Sequence, residues 1–153
     1  MAATRPDAVH TRVRRTIAAD PTSTALLLAG PTALDLWPGL RRTGEEAGRV
    51  LVEAPLAAEA EPVLGAVRAL PPRRTPTSYV TRFETSGPGL PVATGLLTLA
   101  YSCGETGSET EAVLELDTSH PGEAGLSEPC IRHLASGFLD NLAAAAEARN
   151  RAA

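Results

Sequence analysis

Residues 9–46, VHTRVRRTIAADPTSTALLLAGPTALDLWPGLRRTGEE, decide the fold: they read as a strand, two short helices and a second strand opening at Trp37-Pro38-Gly39. Val9, Thr11, Val13, Arg15 and Ile17 alternate with His10, Arg12, Arg14 and Thr16, the period of a strand with one covered face. Asp20 suits an N-cap, and Pro21 suits the first helical position, where no backbone donor is missed. Gly30-Pro31 ends that helix and starts the next.

Working outward, the rest of the chain is β-rich until its last helix. Leu40 to Thr43, a turn over Gly44–Gly48 and a strand Arg49 to Ala54 form a hairpin. Residues 55–62 (PLAAEAEP) stay open between helix, strand and loop, because Ala and Glu favour a helix that the flanking prolines resist. Val63 to Leu70 is an apolar segment ended by Pro71-Pro72, with Arg73-Arg74 in a Pro-rich bend. Ser78 to Thr85 and Val92 to Cys103 are rich in β-formers, and a GETGS turn leads into a strand Thr110 to Asp117. After a loop, a long helix runs from Ser127 to about Arg149 with Pro129 in its first turn. Ile131, Leu134, Ala135, Phe138, Leu142 and Ala145 form its apolar stripe. Residues 1–8 and 150–153 read as flexible ends of a single domain spanning 1–153.

Composition bounds the chemistry. The 153 residues are 43% hydrophobic and 21% charged, a balance that buries a core. Every one of the 14 basic residues is Arg, so imine catalysis by lysine is excluded. With abundant Ala, Gly and Pro, this usage points to a GC-rich, actinobacterial genome. A net charge of −4 without a sustained Arg stripe argues against nucleic-acid binding. Cys103 and Cys130 are too few for a disulfide framework or a zinc ribbon, and the scattered His10, His120 and His133 make no metal site. No apolar run reaches the ~18 residues of a membrane span, and no signal peptide is visible. A soluble, cytoplasmic protein is expected. Neither a Walker loop nor a G-x-S-x-G elbow is present.

The order of elements, with Ile17-Ala18-Ala19-Asp20-Pro21, Leu36-Trp37-Pro38-Gly39 and Gly137-Phe138-Leu139-Asp140-Asn141-Leu142, resembles the START-like (SRPBCC) superfamily over residues 9 to 150. That superfamily includes plant pathogenesis-related allergen-like proteins and bacterial polyketide cyclases. The resemblance implies an α+β helix-grip fold: a curved antiparallel sheet of about six to seven strands around the long C-terminal helix, enclosing an apolar cavity. It implies a hydrophobic small-molecule partner (a polyketide, lipid or quinone-like ligand), no cofactor, and a monomer or homodimer. Two functions stay open: a cofactor-independent cyclase, aromatase or dehydratase of antibiotic biosynthesis, or a non-catalytic carrier or self-resistance protein.

Tyr79 and Tyr101 are candidate catalytic groups, since a phenol holds a carbonyl or protonates an enolate; the plainer reading packs each in the core with its hydroxyl satisfied. Arg82 would polarise a carbonyl if it faced inward, although alternation with Tyr79 and Phe83 turns it outward. His133 titrates in a useful range but sits at the edge of the helical stripe. Ligand contacts are expected from Trp37, Phe83, Leu97, Leu99, Leu114, Leu134 and Phe138. Trp37 is most simply a plug under the long helix, and it can at the same time form one wall of the cavity mouth.

Overall fold

The computed structural model describes residues 9–29, 31–54, 63–86, 93–104, 107–118 and 128–152. Strand β1 (Val9–Ile17) is followed by helix α1 (Pro21–Ala29) and a 3-10 helix, Pro31–Leu36. Then come β2 (Arg41–Glu46), β3 (Arg49–Ala54), β4 (Val63–Ala69), β5 (Arg73–Arg74), β6 (Ser78–Ser86), β7 (Ala93–Gly104) and β8 (Gly107–Thr118). Helix α2 (Glu128–Ala152) closes the chain and continues past the predicted Arg149. The curved antiparallel sheet has the order β1-β8-β7-β6-β4-β3-β2, with β5 also paired to β6. Residues 55–62, whose conformation the sequence leaves open, the loop expected after β8 and the 1–8 end lie outside the described residues.

Alternation places the core. Opposite residues share a face, so the pairs Val13↔Leu114, Leu97↔Leu114 and Leu99↔Ala112 define an inner face turned toward α2. Val13, Ile17, Leu97, Leu99, Leu114 and Leu116 are buried there. From the helix come Ile131, Ala135, Phe138, Leu139, Leu142, Ala143 and Ala146. The apolar stripe is therefore wider than predicted: Leu139, Ala143 and Ala146 join it, while Leu134 and Ala145 are only half-buried. Arg15 shares the parity of Val13 but reaches out to an ion pair with Asp140 on α2. Among the described residues, no helix is long and apolar enough to cross a membrane.

Two local differences from the sequence expectation have physical causes. The predicted turn over Gly44–Gly48 shrinks to Ala47 and Gly48, both at positive φ (52° and 78°), as a two-residue hairpin turn requires. Gly44-Glu45-Glu46 instead continue β2, past a bulge between Arg42 and Gly44. Every residue of β2 is exposed, so no hydrophobic period marked it. Likewise Arg73-Arg74 is a short strand, not a bend, and brings the strand count to eight.

Candidate functional site

Trp37 occupies the junction between the 3-10 helix and the sheet, and two ring contacts hold it there. It stacks on Phe138 of α2, ring centroids 4.4 Å apart at 24°, and meets Phe83 of β6 edge-on at 5.7 Å and 70°. Each ring reaches its place because a glycine gives way. A Cβ on Gly95, opposite Phe83 across β6 and β7, would lie 2.1 Å from Phe83 Cζ, so the ring lies over bare backbone. A Cβ on Gly137 would lie 2.5 Å from Pro38 Cγ, so that glycine admits the Trp37-Pro38 corner against the helix. Asn141 Nδ2, one turn on, donates to the Leu36 carbonyl at 2.7 Å and satisfies the end of the 3-10 helix.

Beside these rings an apolar crevice of about 50 Å³ opens between α1, the 3-10 helix and strands β4 and β6. Leu28 and Leu34 from the short helices, Val67, Ala69 and Leu97 from the sheet, and the rings of Trp37, Phe83 and Phe138 line it. Its hydroxyl-bearing residue is Thr81, whose Oγ1 already donates to the Leu70 carbonyl at 2.7 Å. A space this size holds a few waters, because roughly 10–15 Å³ suffices for one. A larger guest needs lining side chains to move.

One inner-face position along β6 from Thr81 stands Tyr79. Its hydroxyl lies 3.1 Å from Thr22 Oγ1 in the first turn of α1, and the Tyr101 hydroxyl lies 3.4 Å from the same oxygen. One threonine therefore bridges two phenols from neighbouring strands. Tyr79 is half-buried, while Tyr101 is 49% exposed. Arg74, exposed and directly opposite Tyr79 in the β5–β6 register, brings a cation to the same end of the sheet. These groups offer hydrogen-bond donors at the wet margin of the apolar region.

No family model and no curated protein matches the chain in sequence. Solved structures do match in shape. The Zhui aromatase/cyclase from a Streptomyces species superposes with a TM-score of 0.64 at 19% identity, covering 95% of this chain and 97% of that one. Truncated norcoclaurine synthase from Thalictrum flavum gives 0.58 at 10% identity over 94% and 96%. A Thermus thermophilus protein, TTHA0849, gives 0.56 at 18% identity over 90% and 99%. The chain has the helix-grip fold.

Within the helix-grip frame the predicted site residues separate into groups. Trp37, Phe83, Leu97 and Phe138 line the crevice. Leu99 and Leu114 are sealed in the packed core, and Leu134 is half-buried on α2. Tyr79 and Tyr101 meet at Thr22, whereas Arg82 lies opposite Leu96 on the outer face and His133 is exposed on α2. Thus Arg82 and His133 do not converge on the crevice or on the tyrosines. Alternation along β6 had already turned Arg82 outward, and the same alternation marks Thr81 as inner. No sequence signal pointed to Thr22, Leu28 or Leu34, because α1 and the 3-10 helix lack a one-sided pattern. Among the described residues, no three His, Cys, Asp or Glu gather as metal ligands.

Proposed function

We propose that this helix-grip protein binds a hydrophobic, carbonyl-bearing small molecule of polyketide type in the crevice lined by Trp37 and turns it over as a cyclase or dehydratase. The observation that carries this reading is the juxtaposition of an aromatic-lined apolar crevice with two phenols sharing one hydroxyl partner. The apolar walls would take up the carbon skeleton, at about 25 cal/mol for each Å² removed from water. Tyr79, with Tyr101 held beside it by Thr22, would donate a hydrogen bond to a substrate carbonyl and stabilise the enolate on the way to ring closure or loss of water. Trp37 lines the crevice, so a bound ligand would touch the sole tryptophan of the chain and make it a built-in reporter.

Binding without turnover is the second reading. It is favoured by the lining of the crevice itself, which holds no ionisable side chain among the described residues. Titration with a hydroxylated anthraquinone, followed by Trp37 fluorescence, tests the binding both readings share. Incubation with a linear polyketone thioester, analysed by mass spectrometry, separates them. Cyclised or dehydrated product that falls at least about tenfold in Tyr79→Phe supports catalysis. Quenching without product supports the carrier, and no change in Trp37 emission removes both.

A further inference from the structure

The outer face of the sheet carries its charges in two different arrangements. On β1 and β8 each base faces an acid: His10–Asp117 at 2.7 Å, Arg12–Glu115 at 3.6 Å and Arg14–Glu111 at 2.6 Å. On β4, β5 and β6 the guanidiniums of Arg68, Arg73 and Arg82 are exposed and make no ion pair with any described residue. Strand β7 offers them nothing, because its outer positions opposite and beside Arg82 are Thr94, Leu96 and Thr98. Glu84 stands opposite Arg68 in the register, yet the two form no ion pair. The chain as a whole bears a net charge of −4, so this basic area is not a surplus spread evenly over the surface.

The same area is grooved and partly apolar. A groove of about 310 Å³ runs between Arg68, Leu70, Arg82 and Thr94, and a second of about 280 Å³ shares Arg68 and Glu84 and extends to Arg49. Leu70 and Leu64, exposed by 49% and 53%, stand on this side of β4. Exposed leucines framed by arginines are the composition of a recognition surface: arginine is enriched at interfaces and grips carboxylates through two parallel hydrogen bonds.

We propose that the outer face of β4, β5 and β6 is a docking surface for an acidic, leucine-bearing polypeptide segment of a partner protein. The carboxylates of that segment pair with Arg68, Arg73 and Arg82, and its apolar side chains cover Leu64 and Leu70. Glu84 in the middle of the grooves selects a segment of mixed character over a dense polyanion, since a continuous run of phosphates would meet its charge directly.

A fluorescein-labelled peptide of alternating Glu and Leu, titrated into the full-length protein and followed by anisotropy, tests this. The peptide should bind, and the double variant Arg68→Glu/Arg82→Glu should weaken it roughly tenfold or more. Raising salt to about 0.5 M should weaken it too. Arg12→Glu/Arg14→Glu, on the paired half of the same face, should change binding less than about twofold; circular dichroism confirms that both variants fold, with Arg68→Gln/Arg82→Gln replacing the first pair if it does not. Equal loss in both pairs, no binding, or full displacement of the peptide by inorganic phosphate would overturn the proposal. So would self-association of the protein that blocks the peptide, because the face would then serve a second copy of the chain.

Discussion

Strands β1, β8 and β7 meet α2 through aliphatic side chains that fill the space between them. Leu99, Leu114, Leu139 and Leu142 are essentially inaccessible, and polar clasps fasten the rim. Glu147 accepts from the Ala18 amide at 2.9 Å, and Thr110 donates to the Ala19 carbonyl at 2.7 Å. Strands β4 and β6 instead meet short helices and three aromatic rings, with a crevice left over. The first half is organised to be permanent. In the second, stacked rings separate at a cost of about 0.5–1.5 kcal/mol per pair beyond the area they bury, so a ligand can displace them. In the proposed function, holding shape and admitting a guest fall to two different halves of one sheet.

Leu114→Ala cuts deepest into the permanent half. It should lower unfolding free energy by about 2–5 kcal/mol in a denaturant titration, since the residue is fully buried between β1, β7 and α2. A loss below about 1 kcal/mol would mean that the two halves do not differ in packing. On the aromatic side, Gly95→Ala drives a methyl into the Phe83 ring and should cost about 1–3 kcal/mol. Because the ring must leave Trp37, this variant should also alter Trp37 emission, which Leu114→Ala should leave native-like under folding conditions.

Thr11 sharpens the comparison from the other direction. It is buried among the packed strands, and its Oγ1 has no hydrogen-bond partner among the described residues. Thr11→Val keeps the shape and removes the orphaned hydroxyl, so it should stabilise by about 1 kcal/mol. A loss of stability would place an unseen partner on that oxygen. The smallest effect belongs to the outer face. Hydrogen bonds from Arg14, with a further one from Thr16, hold the Glu111 carboxyl below the usual carboxylate range, while burial opposes them. A lowered folded-state pKa gives stability that is present above the unfolded-state value and lost as pH falls through the folded one. Glu111→Gln should therefore remove less than about 1 kcal/mol at neutral pH and flatten the acid limb of the stability profile.

The permanent half was legible in the sequence because burial imposes a period. Val13 and Ile17, then Leu97 and Leu99, then Leu114 and Leu116 sit two or four residues apart, and Ile131, Ala135, Phe138 and Leu142 follow a helical stripe. The second half was legible only in parts. Trp37, Phe83 and Phe138 were each expected near a ligand, but residues so far apart in the chain carry no sign that they touch one another. Gly95 carries no sign in the sequence and Gly137 enters only within the stretch that bears the resemblance, since only the ring above one and the proline beside the other give them a task. Parity alone put Tyr79 and Tyr101 on one face, whereas the threonine that joins them comes from a helix with no pattern to orient it.

Hydrogen exchange in the presence and absence of a hydroxylated anthraquinone tests most directly whether guests enter through the aromatic half. Bound ligand should slow exchange in residues 24–38 and 66–83 and leave β1 and β8 unchanged. Protection that spreads evenly over the sheet, or that concentrates at β1 and β8, would contradict the division of labour between the two halves.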